Sequence, residues 1–349
     1  MAGVFGKIKY GVWDKLCVEW IWKTFCVAWF WTAFCVNTVY GKFDKWKGWF
    51  YLSPAIILLL IFTVWPIFNT VRISFLEDYN SLKAMRGVEF EFGIENFIQV
   101  LQYDGFIRCL TNTMLLCVLT VPISTILALV IAVCLNSIKF LSRFIQTIFF
   151  LPYVTNSIAI GMVFAAMFSI IGNFDSGLVD SYGIINNVLG WFGMDPIDWM
   201  GTGSGEWPNY AVMVIYIVWN ALPFKILILL GGLQSVNKQY YDAAKIDGTS
   251  RFRVFSKITV PLLSPMITYV VITGFIGGFK EYSSIVGVFG DKMGPVGASG
   301  RLNTMVGFIY DSLPQQQLGR ASAAALILFG IIFVVTMINL YISKKKTHY

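Results

Sequence analysis

Residues 109–135 read CLTNTMLLCVLTVPISTILALVIAVCL and carry no charged side chain. About 20 mostly apolar residues, each rising 1.5 Å, cross the roughly 30 Å of bilayer hydrocarbon, so this run is long enough to span a membrane as a helix. Five further runs qualify on either side of it, at about 49–71, 147–171, 209–233, 262–288 and 321–343. Several contain Pro or Gly (Pro66, Pro122, Pro152, Pro223, Gly274, Gly277), which membrane helices tolerate where neighbours re-satisfy the freed backbone groups. The whole chain of 349 residues agrees, with 57% hydrophobic residues, 13% charged and mean hydropathy +0.69; a soluble domain carries about 45–50% and 25%. The expected fold class is all-α: a polytopic membrane protein with six transmembrane helices and an N-terminal interfacial helix.

Charge near the span ends orients the chain. The segment 172–208 carries Asp175, Asp180, Asp195, Asp198 and Glu206 with no Lys or Arg, which places it outside. Counting from there puts Lys139 and Arg143, then Lys238, Lys245, Arg251, Arg253 and Lys257, then Lys344, Lys345 and Lys346 on the cytoplasmic side. The 72–108 loop is rich in acids (Glu77, Asp78, Glu89, Glu91, Glu95, Asp104) and falls outside, and both termini fall inside. Thr24 to Tyr40 is an uncharged aromatic-rich run, yet crossing there would carry Lys7, Lys9, Lys15 and Lys23 outward. Residues 1–47 therefore read as an amphipathic interfacial segment that stays in the mature protein, with tryptophans at the headgroups. Residues 48–346 form the transmembrane domain.

Several function classes are excluded or disfavoured. The net charge of +7 comes from short basic segments beside apolar runs, which lipid headgroups explain without nucleic acid. The six cysteines (17, 26, 35, 109, 117, 134) include no C-x-x-C pair and read as small hydrophobes. His348 is the only histidine, which leaves the spans without imidazole general bases or His-rich metal sites. No G-x-x-x-x-G-K-[ST] motif is present, so no phosphate-cradling loop for ATP is encoded.

Between the fourth and fifth runs lies the longest cytoplasmic connection, 235–260, within QSVNKQYYDAAKIDGTSRFRVFSKITVP. Tyr240 to Ile246 suits a short helix, Gly248 can supply the positive φ that ends it, and Thr249 or Ser250 can cap a second helix from Arg251. Asp242-Ala243-Ala244, Gly248 after three residues, and Ile258-Thr259-Val260-Pro261 after nine more resemble the coupling loop of ABC importer permeases, E-A-A-x3-G-x9-I-x-L-P. Thr111-Asn112-Thr113, Leu135-Asn136, Phe150-Leu151-Pro152-Tyr153 and Leu318-Gly319-Arg320-Ala321-Ser322-Ala323 are similar to the binding-protein-dependent sugar permeases, relatives of the larger maltose-transporter membrane subunit. Asp242 stands where Glu is usual, Val260 where Leu is usual, and Met293-Gly294-Pro295 where Gly-Gly-Pro is usual.

The resemblance implies a permease subunit of an ATP-driven importer that takes up a carbohydrate, an oligosaccharide by preference, in a bacterial cell membrane. It implies a second homologous permease, two copies of a cytosolic ABC ATPase that hold the ATP and Mg, and an extracellular solute-binding protein. No cofactor belongs to this chain, which is a transport subunit and not an enzyme. Coupling to the ATPase falls to Tyr241, Asp242, Ala243, Ala244, Asp247, Gly248 and Arg251. Ionisable groups at bilayer depth are costly unless they face a cavity or a partner, which singles out Lys225, Lys280 and Glu281. Matching the family's motifs carries over Tyr153, Ser157, Phe224 and Glu281 as substrate contacts, to which Lys280 and, more weakly, the intramembrane amide Asn220 are added. The bland alternatives are that Lys280 pairs with Glu281 or snorkels to an interface, that aromatics merely pack, and that amides such as Asn112, Asn156 and Asn220 bond neighbouring helices.

A secondary transporter or channel is the competing reading, and a membrane-embedded enzyme the third. The loop spacing favours the importer. The topology is tested by single cysteines placed in an otherwise Cys-free chain: position 187 labels from outside, positions 238 and 345 only from inside. Outside labelling at 345 breaks the assignment.

Overall fold

The computed structural model describes residues 47–138, 142–173, 178–201, 203–295 and 297–346. The proposed interfacial helix within 1–47 falls almost wholly outside them. The chain divides into two units, 1–69 and 70–349. In the first, α1 (Lys47–Leu59) passes through a π-helical turn (Leu60–Val64) into α2 (Trp65–Ser74), whose last residues belong to the second unit. Tyr51–Ser74 has the length and apolarity of a membrane span.

The second unit continues with α3 (Ser81–Met85), α4 (Glu95–Gln102), α5 (Asp104–Ser137), α6 (Ser142–Val154) and α7 (Ser157–Phe168). An antiparallel hairpin of β1 (Ile170–Asn173) and β2 (Leu178–Tyr182) precedes α8 (Ile184–Trp191). Next come α9 (Glu206–Ser235), α10 (Lys238–Ile246), α11 (Arg251–Val254), a π turn (Phe255–Thr259), α12 (Val260–Leu262), α13 (Ser264–Phe279), α14 (Ser283–Phe289), α15 (Met305–Ser312) and α16 (Leu318–Lys346). Four helical stretches are long and apolar enough to cross a membrane alone. Two further candidates are bent pairs: Phe144–Val154 meets Ser157–Phe168 at 100°, and Arg251–Leu262, most of it in the expected 235–260 connection, meets Ser264–Phe279 at 69°. The expected 262–288 span is also interrupted between Phe279 and Ser283. Counting each bent pair as one span gives six. Helix α5, at 34 residues, is about 50 Å long and exceeds the hydrocarbon thickness.

Helices α5 and α9 run side by side in the same direction. Arg108 lies 3.8 Å from Glu206 near their starts. Their far ends share a core of Ala128, Ala132 and Leu135 with Ile226, Leu229, Leu230 and Leu233. A second core joins Leu116 of α5 and Tyr216 of α9 to Phe168 and Ile285. A third packs Phe106 and Cys117 of α5 on Phe279, Phe308 and Ala323. Lipid is as apolar as these side chains, so close fit and internal hydrogen bonds hold such helices together more than water exclusion does.

Both devices are visible. At the start of α5, buried Asn112 donates to the carbonyls of Arg301 (2.9 Å) and Asn303 (2.8 Å) and accepts the Tyr210 hydroxyl. The Arg301 guanidinium donates to the Ser204 carbonyl (2.7 Å) and Asn209 Oδ1 (3.2 Å). The 290–304 loop is thereby stitched to α5 and α9, and Asn112 takes the helix-bonding role allowed for it. Where α7 meets α14, glycines permit backbone contact: a Cβ on Gly161 would stand 2.7 Å from the Gly287 backbone. Gly161→Ala is therefore expected to force the two helices apart at a cost of about 1–3 kcal/mol. Gly231→Ala on α9, where a Cβ meets nothing within 4 Å, should be neutral or stabilising by about 0.5–1 kcal/mol. Unfolding midpoints of the detergent-purified chain, compared between the two variants, check this; equal midpoints refute the close-approach account.

Candidate functional site

A cavity of about 440 Å³ opens among the middle thirds of α5 and α9, the α6–α7 break and the end of α13. Such a volume suits a small ligand, for which sites span about 300–1,000 Å³. Its position follows from the breaks. A helix that stops inside hydrocarbon frees backbone groups that need polar company, and a wet cavity provides it. At the first break Asn156 caps α7, its Oδ1 accepting from the Ile158 N–H at 2.8 Å. Thr155 and Ser157 there face the cavity. In the gap between α13 and α14, Glu281 Oε1 accepts from the Ser284 N–H at 3.3 Å, and the Glu281 carbonyl accepts from the Thr304 hydroxyl at 2.8 Å.

Five of the six residues expected to touch substrate line this one cavity: Tyr153, Ser157, Asn220, Phe224 and Glu281. Tyr153 and Phe224 stack with ring centroids 6.0 Å apart and planes 20° apart, and Tyr153 is exposed. Asn220 Nδ2 approaches Ser157 Oγ at 3.4 Å, and Tyr216 donates its hydroxyl hydrogen to the Ser157 carbonyl. Lys280 is placed differently. It ends α13, is exposed, and does not line the cavity. Among the described residues no ion pair joins it to Glu281, so neutralisation of Glu281 by its neighbour is not what the geometry shows.

Lys225 lines the cavity instead. It is 4% exposed, and its Nζ donates to Ser124 Oγ (2.7 Å), Thr125 Oγ1 (3.0 Å) and the Val121 carbonyl (3.2 Å). All three ammonium hydrogens are thus engaged by α5, and no carboxylate lies within ion-pair distance among the described residues. Thr120, Ser124 and Thr273 also line the cavity and were missed in the sequence. Their signal was present: Thr120 and Ser124 are four apart, which sets two hydroxyls on one face of an otherwise apolar helix.

The 235–260 connection forms a compact knob. Asn237 caps α10, accepting from the Gln239 N–H at 3.0 Å. The helix ends as the sequence suggests, with Gly248 at φ +64° and the Thr249 N–H donating to the Ala244 carbonyl at 2.9 Å. Ser250 stands at the start of α11 but its side chain makes no capping bond, unlike the cap expected from Thr249 or Ser250. The Tyr241 hydroxyl lies 3.4 Å from the Thr259 hydroxyl, bracing α10 against the π turn. Asp242, Ala243, Asp247, Gly248 and Arg251 are exposed, whereas Ala244 is buried, so the two alanines differ in environment. Asp242 pairs with Lys245 at 3.8 Å, both exposed, a contact worth little in water. Two exposed apolar side chains that the sequence reading did not select flank the glycine: Ile246, 87% exposed, and Phe252, 79% exposed.

Residues 121–348 match the family described as binding-protein-dependent transport system inner membrane component. The chain belongs to that family. It is 31% identical over 297 residues to the arabinooligosaccharides transport system permease protein AraP of Halalkalibacterium halodurans, covering 84% of this chain and 86% of the relative. It is 29% identical to the lactose transport system permease protein LacF of Rhizobium radiobacter, covering 84% and 91%. In fold it is similar to a bacterial ABC transporter involved in the import of the acidic polysaccharide alginate, with a TM-score of 0.70 at 20% identity over 87% of this chain and 97% of that one. The protein is thus a membrane permease, a transport subunit of an ABC importer.

Among the described residues no group of three or more His, Cys, Asp or Glu side chains could hold a metal ion. In the permease the knob turns on one left-handed backbone position, Gly248. A Cβ on Gly248 would meet nothing within 4 Å, yet its φ is +64°. The barrier to a side chain is therefore backbone strain alone, about 1–2 kcal/mol for an ordinary residue and least for Asn. Gly248→Val should lower ATP-driven uptake in reconstituted vesicles several-fold while Gly248→Asn stays near the parent. Equal uptake by the two variants removes the geometric role of this glycine.

Proposed function

We propose that this permease imports a carbohydrate, an oligosaccharide released to it by an extracellular solute-binding protein, and that the central cavity receives it. The observation that carries this reading is the mixture lining the cavity. One exposed aromatic ring lies beside a carboxylate, an amide and several hydroxyls, which suits the apolar face and hydroxyl rim of a sugar. The relatives' described cargoes, arabinooligosaccharides and lactose, support it. Tyr153, Ser157, Asn220, Phe224 and Glu281 are the proposed contacts, with Lys225 holding α5 to α9 behind them. The charge asymmetry of the loops supports a bacterial cell membrane location with both termini in the cytoplasm.

ATP and Mg belong to two copies of a cytosolic ATPase, and a second homologous permease completes the membrane pore. The α10–α11 knob is the proposed ATPase contact, through Tyr241, Asp242, Ala243, Asp247, Gly248 and Arg251, with Ala244 anchoring it from beneath. A knob braced at Tyr241 and fixed by Gly248 moves as one body with the docked ATPase. Closure of the two ATPase copies then tips the spans between two packings, a rigid-body switch. Transport follows because the cavity faces opposite sides in the two packings.

Glu281 tests the cargo assignment. Glu281→Gln keeps the shape of the side chain but weakens bonds to sugar hydroxyls by about 1–2 kcal/mol. Uptake should then need roughly 5–30-fold more substrate at half-saturation, with expression and ATPase assembly unchanged. A variant with unaltered half-saturation excludes Glu281 as a sugar contact, and failure of the assembled importer to take up any of arabinotriose, maltotriose or lactose would falsify the carbohydrate reading.

A further inference from the structure

The second unit holds another polar cavity, of about 350 Å³, that shares no lining residue with the central one. It lies between α3, α4 and the start of α16. Arg320 there stacks its guanidinium 4.2 Å above the ring of Tyr103, the residue just before α5. Arg108 near the start of α5 pairs with Glu206 at the start of α9, whereas the coupling knob follows the other end of α9. The cavity and the knob therefore sit at opposite ends of the bundle.

Its walls are built rather than incidental. Buried Asn96 donates to the carbonyls of Ser74 (3.0 Å) and Leu76 (2.8 Å) and fixes the floor. Gly319 lies against it so closely that a Cβ would come within 2.9 Å of the Asn96 amide. The Ser81 hydroxyl donates to Gln316 Oε1 at 2.6 Å, which ties the α3 side to the turn before α16. Asp78 and Gln316 both hold left-handed backbone, at φ 50° and 59°, a strain that non-glycine residues keep only where surrounding structure enforces it. Arg320 Nη1 donates to Gln317 Oε1 at 3.2 Å, while its Nε is buried with no hydrogen-bond partner.

The lining defines the ligand chemistry. Asp78 opposes a simple anion, Lys83 and Arg320 oppose a cation, and the scarcity of apolar wall opposes a hydrophobe. What remains are amides whose unused atoms are of both kinds, the Oδ1 acceptor of Asn96 and the Nε2 donors of Gln316 and Gln317 beside the exposed Gln315, and a hydroxyl of a sugar needs a donor and an acceptor at once. The volume is near the lower bound for ligand sites, enough for about one or two sugar units. We infer that this cavity is an outer carbohydrate site, holding one end of the transported oligosaccharide at the face of the bundle opposite the coupling knob. The inference rests on the carbohydrate reading above.

The test uses the assembled importer in lipid nanodiscs, without binding protein, titrated calorimetrically with arabinotriose, maltotriose and lactose. Lys83 and Gln315 are exposed, and their side chains make no hydrogen bond or ion pair among the described residues, so replacing both by Ala leaves the fold intact. The parent should bind at least one probe at two sites. The Lys83→Ala/Gln315→Ala double variant should weaken one site about tenfold and spare the other, and Glu281→Gln should do the reverse. Glu281-dependent binding with an unchanged double variant overturns the outer site and leaves the cargo assignment standing. A second titration, with the binding protein as titrant, also overturns it if the double variant is altered there and not in sugar binding, since the cavity would then seat a protein segment. Absence of binding by all three probes overturns both.

Discussion

Backbone groups inside hydrocarbon have no water to bond, and this constraint orders the whole molecule. Helix satisfies it within a segment, so the described residues form long helices with one small hairpin at the end of the 147–171 run. Any interruption must find polar partners. One bent span breaks at Thr155–Asn156, and α13 gives way to α14 across Lys280–Tyr282; residues from both interruptions line one cavity, whereas the bend at Leu263 contributes none. The site thus occupies the one kind of place in a membrane bundle where irregular backbone is tolerated.

Polar side chains at bilayer depth divide by what they already hold. Asn112 is fully engaged in pinning the 290–304 loop, and Lys225 in pinning α9 to α5. Glu281 accepts the Ser284 N–H at the cap of α14 and also lines the cavity. Anchors on one side and acceptors on the other let the cavity stay open without the helices drifting apart. The same logic separates the knob into an inner side, buried Ala244 with half-buried Tyr241, and an exposed side that carries Ala243, Ile246 and Phe252.

The chemistry of transport needs nothing covalent from this chain. In the proposed mechanism its contribution is geometric: a cavity whose exposure changes when rigid pieces tip, and a knob through which force enters. Gly248 fixes the knob's angle by a backbone conformation, and Gly161 with Gly287 lets α7 and α14 touch. Small residues at these points set distances that larger ones would change.

The sequence by itself determined the six apolar runs, the all-α class and, through the spacing of Asp242-Ala243-Ala244, Gly248 and Ile258 to Pro261, the family. Each is a local property, a sum or a spacing along one segment, which survives whatever the chain does elsewhere. It also marked Tyr153, Ser157, Asn220, Phe224 and Glu281. Only the tertiary structure brought these five to one cavity, left Lys280 outside it and added Thr120, Ser124 and Thr273. Lys225 meets Ser124 across 101 residues of chain, and no local pattern encodes such a meeting. Which face of a helix lies inward depends on the neighbour it packs against and on where that neighbour breaks, so two adjacent residues such as Lys280 and Glu281, or Ala243 and Ala244, part company only when the chain is folded.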